Sequence, residues 1–143
     1  MIAAIRIKGM VKNRKIVDNT LYRLRLRRKY ACIALPSPTK EQTAMIEAMK
    51  DFVAFGEISD DVFKKLVEAR GQLADKSKET DLKKAAEEVL AGKTYEEANL
   101  KPFFRLHPAR GGIDAKKHVG VKKGVLGKHN DKDSLGKLME KML

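Results

Sequence analysis

The chain has 143 residues, with 31 Lys or Arg against 19 Asp or Glu, one Cys and no Trp. This length predicts one domain with room for a hydrophobic core. A single cysteine excludes a disulfide framework, and no apolar run approaches the roughly 20 residues that a membrane span needs. Arg6 and Lys8 come too early for a signal peptide. We therefore expect a soluble cytoplasmic protein with no membrane partner.

The positive charge is concentrated towards both ends of the sequence. Residues 1–30 contain ten bases and one acid, and residues 101–143 contain eleven bases and four acids. The residues between them, 31–100, have a net charge of −4. Clustered Lys and Arg displace counterions from a polyphosphate backbone, which is a dominant source of affinity for nucleic acids. The distribution therefore predicts a nucleic-acid partner.

The first strand is predicted at residues 2–8, where the two faces differ in character. Alternation places Ala3, Ile5 and Ile7 on one face and Ala4, Arg6 and Lys8 on the other. This pattern predicts a half-buried strand whose open face is basic. A helix with Asn13 as N-cap is predicted to run to about Arg25. The apolar residues 31–35 form the next strand, which Pro36 ends.

The remaining elements follow from caps and periodicity. Thr39 and Gln42 form a capping box for a helix over 40–50, and a strand at 52–55 ends at Gly56. Further elements are predicted as follows: a helix from Ser59 to Gly71, a polar linker over 72–80, a helix from Thr80 to Gly92, a short capped turn at Thr94 and Glu97, a strand at 102–107 and a last helix at about 134–142. Residues 108–130 show no periodicity.

This order of elements predicts an α+β fold. A small antiparallel or mixed sheet with helices packed on one face would satisfy the short strands and tight connections. Residues 1–71 would form a β-α-β-α-β core with the helix that follows it. Residues 72–143 would form an extension with a helix, the 102–107 strand, a basic Gly/Lys loop and a short C-terminal helix.

The N-terminal bases form the first candidate site for nucleic acid. A strand face, its loop and the start of a helix would bring together Arg6, Lys8, Lys12, Arg14 and Lys15, and Arg25, Arg27, Arg28 and Lys29 would extend this patch. Amides at a helix N-terminus attract phosphate, and arginine suits bidentate phosphate contact. A solvated helix face usually interleaves acids with bases, whereas only Asp18 interrupts this run.

The C-terminal bases form the second candidate site, on a glycine-lysine loop. Its members are Arg105, His107, Arg110, Lys116, Lys117, Lys122, Lys123 and Lys128. Glycine lets the backbone approach a ligand closely, and lysine supplies charge. Long loops of this kind are either functional or disordered. We expect this one to fold against RNA and to stay mobile without it.

Other chemistries find little support in the pattern. No nucleophile–base arrangement stands out, and His107, His118, His129 and Cys32 lack a recognised metal spacing, so no catalytic role, metal or cofactor is predicted. The phenylalanines, Phe103 and Phe104 among them, are interpreted as core. Because that leaves few aromatics for a stacking platform, contact with structured RNA through shape and phosphates is favoured.

Four sequence blocks resemble the ribosomal protein family called L-thirty in bacteria and archaea and L-seven in eukaryotes. They are Ile5-Arg-Ile-Lys-Gly9, Asn19-Thr-Leu-Tyr-Arg-Leu-Arg-Leu-Arg-Arg-Lys29, Asp51-Phe-Val-Ala-Phe-Gly-Glu-Ile58 and Phe104-Arg-Leu-His-Pro-Ala-Arg-Gly-Gly112. The resemblance implies a β-α-β-α-β core similar to ferredoxin-like folds, and residence in the large subunit against ribosomal RNA. The extra helices and the last block mark the archaeal and eukaryotic branch. The lack of a long basic N-terminal extension favours the archaeal type.

We therefore expect a structural protein of the large ribosomal subunit, located on the cytoplasmic ribosome. Its partners would be large-subunit ribosomal RNA and neighbouring ribosomal proteins, with no small-molecule substrate. Two alternatives remain open. A free-standing RNA-binding protein or RNA chaperone would have the same charge, and a small α+β enzyme acting on a phosphorylated substrate would need a pocket of mixed polar groups.

Overall fold

The computed structural model describes residues 1–75, 81–113, 115–121 and 124–143. Six strands and five helices occur in these ranges, in an order that alternates strand and helix up to the third helix. They are β1 (Ile2–Arg6), α1 (Lys15–Arg23), β2 (Ala31–Leu35), α2 (Lys40–Ala48), β3 (Val53–Glu57), α3 (Asp60–Arg70), α4 (Leu82–Leu90), β4 (Phe104–Arg105), β5 (Ala115–His118), β6 (Gly124–His129) and α5 (Lys132–Glu140).

The strands form one sheet in the order β4-β2-β1-β3-β6-β5. The central strand β1 is antiparallel to both neighbours, so Ala4 pairs with Ile33 on β2 and with Phe55 on β3. β4 is antiparallel to β2, whereas β6 is parallel to β3 and β5 is parallel to β6. The α+β class is confirmed, and the strands β1, β2 and β3 of the predicted core pair in the expected antiparallel way, but the whole sheet is mixed. The sheet is mixed because the C-terminal third of the chain adds two strands in parallel pairing beside β3.

The helices α1 and α2 of the predicted core share one face of the sheet, as expected, but α3, α4 and α5 cover the other face, so the prediction of helices on one face does not hold for the whole fold. Ala3 and Ile5 face a core shared with α3, α4 and α5. Ala4 faces a second core, which Leu21 of α1 and Ile46 of α2 complete. The physical reason lies in β1 itself. Ala4 is as apolar as its neighbours, so both faces of the strand must be removed from water.

Strand β3 continues through Gly56, which was predicted to end it. A Cβ built at Gly56 would lie 2.7 Å from the backbone oxygen of His129 on β6. The missing side chain therefore allows β6 to approach β3 closely. His129 is itself buried, with Nδ1 2.8 Å from Ser134 Oγ and Nε2 2.9 Å from the Val125 carbonyl. Its ring links β6 to α5.

The prediction that residues 108–130 lack regular structure is wrong, because β5 and β6 lie within them. Leu126 is buried in the same core as Ile5, so burial rather than local propensity places this strand. The strand predicted at 102–107 is reduced to two residues. Residues 76–80, in the predicted linker and at the predicted start of α4, lie outside the described residues, and α4 begins after Asp81, whose side chain accepts from Lys83 N–H.

Two capping boxes are confirmed, and one cap is not. Thr39 and Gln42 satisfy each other's backbone N–H groups at the start of α2, and Thr94 and Glu97 do the same. Asn13 is not the N-cap of α1, a position that Arg14 occupies. In the parts of the chain that the structure describes, no helix is long and apolar enough to cross a membrane.

Candidate nucleic-acid interface

Sheet topology brings several basic segments to one end of the molecule. Because β1 is antiparallel to β2 and β3, the loop after β1 lies near the segments that precede β2 and β3. Arg105 joins them from β4, since it pairs in register with Ala31 at the start of β2. We call this region the basic end. It unites the N-terminal patch with the first residue of the predicted C-terminal site.

The loop 8–15 supplies the first part of the basic end. Lys12, Arg14 and Lys15 are exposed there, and Lys12 adopts a left-handed backbone with φ of 60°. Lys8 is half-buried, with Nζ 5.2 Å from the centroid of the Phe52 ring. In the same loop Val11 is 84% exposed. This loop therefore projects cations away from the sheet.

Arg6 does not share this exposure, which corrects the prediction of an open basic face on β1. Its side chain is 2% exposed. Nη1 donates to the Leu26 carbonyl at 2.9 Å and Nη2 to the Gly9 carbonyl at 3.0 Å. Asp18 Oδ1 lies 3.6 Å from Nη2. Burial lowers the pKa of Arg6, and the charge of Asp18 opposes that shift. Arg6 bonds to both basic segments from within, so it supports the basic end rather than forming its surface.

The chain leaves α1 through a helix-ending motif that usually carries glycine. Leu26 N–H bonds to the Leu21 carbonyl and Arg25 N–H to the Tyr22 carbonyl, the paired bonds of a Schellman motif. Leu21 and Leu26 are both buried in the second core. Arg25 occupies the left-handed position, with φ of 60°. The turn directs the run Arg25, Arg27, Arg28 and Lys29 outwards, and all four side chains are exposed.

These cations surround a groove beside the β2–β4 edge, with a volume of about 440 Å³. Its lining residues are Arg25, Arg27, Arg28, Lys29, Ala31, Phe103, Arg105 and Leu106. The Arg105 guanidinium lies 5.9 Å from the centroid of the Phe103 ring. Among the described residues, none of the five basic side chains forms an ion pair. The groove is therefore a site of concentrated, uncompensated positive charge with an apolar wall.

The other members of the predicted C-terminal site lie apart from this groove. Four strand spacings separate β4 from β6, about 19 Å, and Lys128 on β6 pairs with Phe55 across the sheet. Lys116 and Lys117 are exposed on β5. His118 on the same strand contacts Asp51, with 2.7 Å between Nε2 and Oδ1. Lys122 and Lys123 lie outside the described residues.

His107 and Arg110 lie on a segment that packs against the C-terminus. Both side chains are exposed, while their backbone N–H groups bond to the carbonyls of Met142 and Lys141. Ala109 between them is buried. The segment that connects Arg105 to the C-terminal helix is therefore anchored through its backbone.

Comparison with known proteins decides the family. No family model matches the chain. A protein of Methanococcus maripaludis named large ribosomal subunit protein uL30 is 36% identical, over 96% of this chain and 98% of its own length. Proteins of the same name from Archaeoglobus fulgidus and Methanosphaera stadtmanae are 34% and 35% identical over at least 99% of both chains. The chain belongs to the uL30 family. The L-thirty resemblance is confirmed, and this uL30 chain is a ribosomal protein rather than an enzyme.

Two further features concern possible metal ligands and the single cysteine. Among the described residues there is no group of three or more His, Cys, Asp or Glu side chains that could hold a metal ion. Cys32 is fully buried, and burial raises the pKa of its thiol to about 12. A thiol in this state is a poor nucleophile because the thiolate is the reactive form.

Phe103 is a groove residue that the sequence analysis did not predict. Phe103 was interpreted as core, yet it is half-buried and lines the groove. Strict alternation from Phe103 to Leu106 carries the signal, because Phe104 and Leu106 are buried whereas Arg105 is exposed. Period-two reasoning places Phe103 on the face of Arg105, which is the face that borders the groove.

Proposed function

We propose that the chain is a structural constituent of the large ribosomal subunit that braces ribosomal RNA with its basic end. It would act on the cytoplasmic ribosome, beside neighbouring ribosomal proteins. Its own core would be of the ferredoxin-like β-α-β-α-β type. One observation carries the proposal. Exposed cations from the loop 8–15, from the segment 25–29 and from β4 converge on one region of the sheet.

The basic end suits a folded RNA because its cations are held by rigid elements. Arg6 bonds to carbonyls of both basic segments, and Tyr30 N–H bonds to the Arg6 carbonyl at 2.7 Å. Fixed cations match fixed phosphates without a large ordering cost on binding. RNA helices are contacted mostly through shape, phosphates and 2′-hydroxyls. The basic end supplies the positive charge for such contacts.

The acidic middle of the sequence supports the same orientation. Several of its acids pair with lysines on or near the helices α3 and α4, as in Lys64–Glu87 and Lys83–Glu68. Lys65 of α3 similarly pairs with Glu140 of α5 at 2.7 Å. Exposed pairs of this kind reduce the local field without adding much stability. We propose that this helical layer faces solvent or a neighbouring protein, away from the RNA.

The test is the salt dependence of binding to a transcript of large-subunit ribosomal RNA. Each lost phosphate contact makes the slope of log K against log salt shallower by about 0.7 to 0.9. The double variant Arg14→Gln/Lys15→Gln should therefore bind more weakly and make the slope shallower by about 1.4 to 1.8. The matched control Lys64→Gln/Lys83→Gln removes two lysines from the α3–α4 layer and should leave the slope unchanged. An unchanged slope in the first variant would remove the loop 8–15 from the interface.

The sedimentation of the protein in a cell extract distinguishes this proposal from the alternative of a free-standing RNA-binding protein. A ribosomal constituent should sediment with large subunits in a sucrose gradient and remain there after a moderate salt wash. A chaperone of the same charge should be found mostly in the slowly sedimenting fractions. Recovery of the protein chiefly in those fractions would contradict the proposal.

A further inference from the structure

We propose that the groove between the segment 25–29 and β4 receives a single unstacked nucleotide of the bound RNA, such as a bulged residue. The base would lie against Phe103, and its flanking phosphates would meet the surrounding arginines. This inference rests on the proposed RNA-binding function and adds to it. Phosphate bracing by itself requires only charge, whereas this groove also presents an apolar wall.

The lining of the groove divides into two kinds of surface. Ala31, Phe103 and Leu106 supply apolar area, and five cations lie around them. The volume of about 440 Å³ lies within the usual range of sites for small organic groups. Bases bind proteins by stacking on aromatic rings and arginine planes, while phosphates bind cations. A nucleotide combines both chemistries in one unit of this size.

Phe103 is the group that a paired RNA helix would not use. The bases of an A-form helix are stacked on each other, so a protein ring reaches a base face only where a nucleotide is splayed out. Phe103 is half-buried rather than enclosed. The guanidinium of Arg105 lies near its ring, at 5.9 Å from the centroid. The two side chains are of the kinds on which an unpaired base stacks.

The groove is formed before any ligand arrives. Tyr30 has a left-handed backbone with φ of 64°, and its N–H and carbonyl bond to Arg6 and to Leu106 N–H respectively. At the other end of the segment, the Schellman motif fixes Arg25. Left-handed conformations of non-glycine residues carry strain, which tends to occur at functional sites. Both ends of the arginine segment are thus held in place, so a nucleotide would meet a rigid site.

The chemistry of the groove argues against a catalytic pocket for a free nucleotide. Its described lining contains no carboxylate, histidine or hydroxyl group that could act as a general base. One recognition chemistry could still serve two sources, namely a nucleotide within RNA or a free nucleoside monophosphate. We assign the groove to RNA because the cations extend from it along the segment 25–29 and the loop 8–15, further than one phosphate can reach.

The experiment compares two RNA hairpins that differ only in one central uridine bulge. The bulged hairpin should bind about 5- to 150-fold more tightly than the paired one, the range expected for one stacked base. With 5-iodouridine in the bulge, irradiation should produce a crosslink that maps to Phe103. The variant Phe103→Leu should lose both the crosslink and the preference for the bulge, while its affinity for the paired hairpin stays unchanged.

A matched control is available on the other side of the same core. Phe52 is also half-buried and also packs at the margin of the second core, so Phe52→Leu should cost similar stability. Because the Phe52 ring contacts Lys8 of the basic end, the quantity compared is the ratio of the two hairpin affinities, which Phe52→Leu should retain. Thermal unfolding of both variants verifies folding. Equal binding of the two hairpins, with a normal salt slope, would overturn the nucleotide site and leave the RNA-bracing function intact. Loss of salt-dependent binding to both hairpins would contradict the proposed function itself.

A third arm distinguishes the free nucleotide. Uridine monophosphate at concentrations that leave the RNA complex intact should not abolish the crosslink to Phe103. If it does so, the groove is a small-molecule site and the assignment to RNA is overturned. A crosslink that maps to Tyr22 or Tyr30 instead of Phe103 would also overturn the proposed base position.

Discussion

The buried guanidinium of Arg6 donates a hydrogen bond of 2.9 Å to the backbone carbonyl of Leu26, twenty residues further along the chain. The same side chain bonds to the Gly9 carbonyl, so one residue of β1 holds both basic segments. A charged donor is well suited to this task because it satisfies several carbonyls at once. The basic end therefore depends on an arginine that does not belong to its surface.

Replacement of Arg6 should destabilise the fold. Arg6→Met leaves the buried Leu26 carbonyl without its donor, at a cost of about 1–3 kcal/mol, whereas the exposed Gly9 carbonyl still accepts from Asn13 Nδ2. We expect the free energy of unfolding, measured in urea, to fall by about 1–3 kcal/mol. Arg6→Lys keeps the charge but not the fork of donors, so its loss should be intermediate. A loss below about 0.5 kcal/mol in Arg6→Met would show that these bonds contribute little.

Arg25 should trade stability against RNA binding. Because glycine adopts a left-handed backbone without strain, Arg25→Gly should raise the free energy of unfolding by about 1 kcal/mol while it weakens binding to large-subunit RNA. Arg25→Ala removes the same charge but retains the strain, so it should weaken RNA binding without the gain in stability. Urea unfolding and filter binding of both variants test this separation, and a less stable Arg25→Gly protein would refute it.

Gly56 should tolerate no side chain. The Cβ of Gly56→Ala would meet the His129 backbone oxygen at 2.7 Å, and backbone atoms cannot move aside easily. We expect a loss of about 1–3 kcal/mol, the usual cost of overpacking, measured by urea unfolding. Gly9→Ala is the control because a Cβ there has open space, and it should be neutral or slightly stabilising. Similar losses in both variants would contradict the close approach of β6.

The fold should weaken in alkaline solution through Cys32 and Tyr95. Burial raises the pKa of the Cys32 thiol from 9.0 to about 12, and burial also raises the pKa of Tyr95, whose hydroxyl donates to the Ala34 carbonyl. Both native groups retain their protons where the unfolded chain releases them. The stabilisation is therefore complete below the unfolded pKa and is lost as the pH rises towards the folded pKa.

Urea unfolding between pH 8 and about pH 11 measures this effect. Each group should lower the free energy of unfolding by up to about 1.4 kcal/mol per pH unit above its unfolded pKa. Cys32→Ala should flatten the profile above about pH 9 and leave its shape unchanged near neutrality. An identical alkaline slope in wild type and Cys32→Ala would show that the thiol titrates freely in the native state.

Sequence reasoning succeeded where local signals decide structure. The capping box of Thr39 and Gln42 predicted the start of α2, and the apolar residues 31–35 predicted β2 with its observed bounds. It failed where distant contacts decide. The loop predicted over 108–130 contains β6 because Leu126 is buried against residues more than a hundred positions earlier, such as Ile5. The glycines and lysines in that segment interrupt the alternation of apolar and polar residues by which a strand is predicted.

The candidate site shows the same division. The exposure of the cations in the segment 25–29 follows from composition, because every residue of that segment except Leu26 is Arg or Lys and none is acidic. The burial of Arg6 does not follow from alternation, because the pattern cannot reveal that α1 and its loop cover that face of β1. The separation of Lys128 from Arg105 likewise depends on strand order. Charge predicts that a basic surface exists, whereas topology decides which residues share it.

The pairing of β3 with β6 joins Ala54 to Gly127, and this span affects how the chain is made. During synthesis β1, β2 and β3 are completed well before β6, because β3 ends at Glu57 whereas β6 begins at Gly124. Until then β3 is an edge strand with open hydrogen-bonding groups, and edges of this kind recruit other strands. We therefore expect β3 to be the part of the nascent protein that associates with other strands until β6 pairs with it.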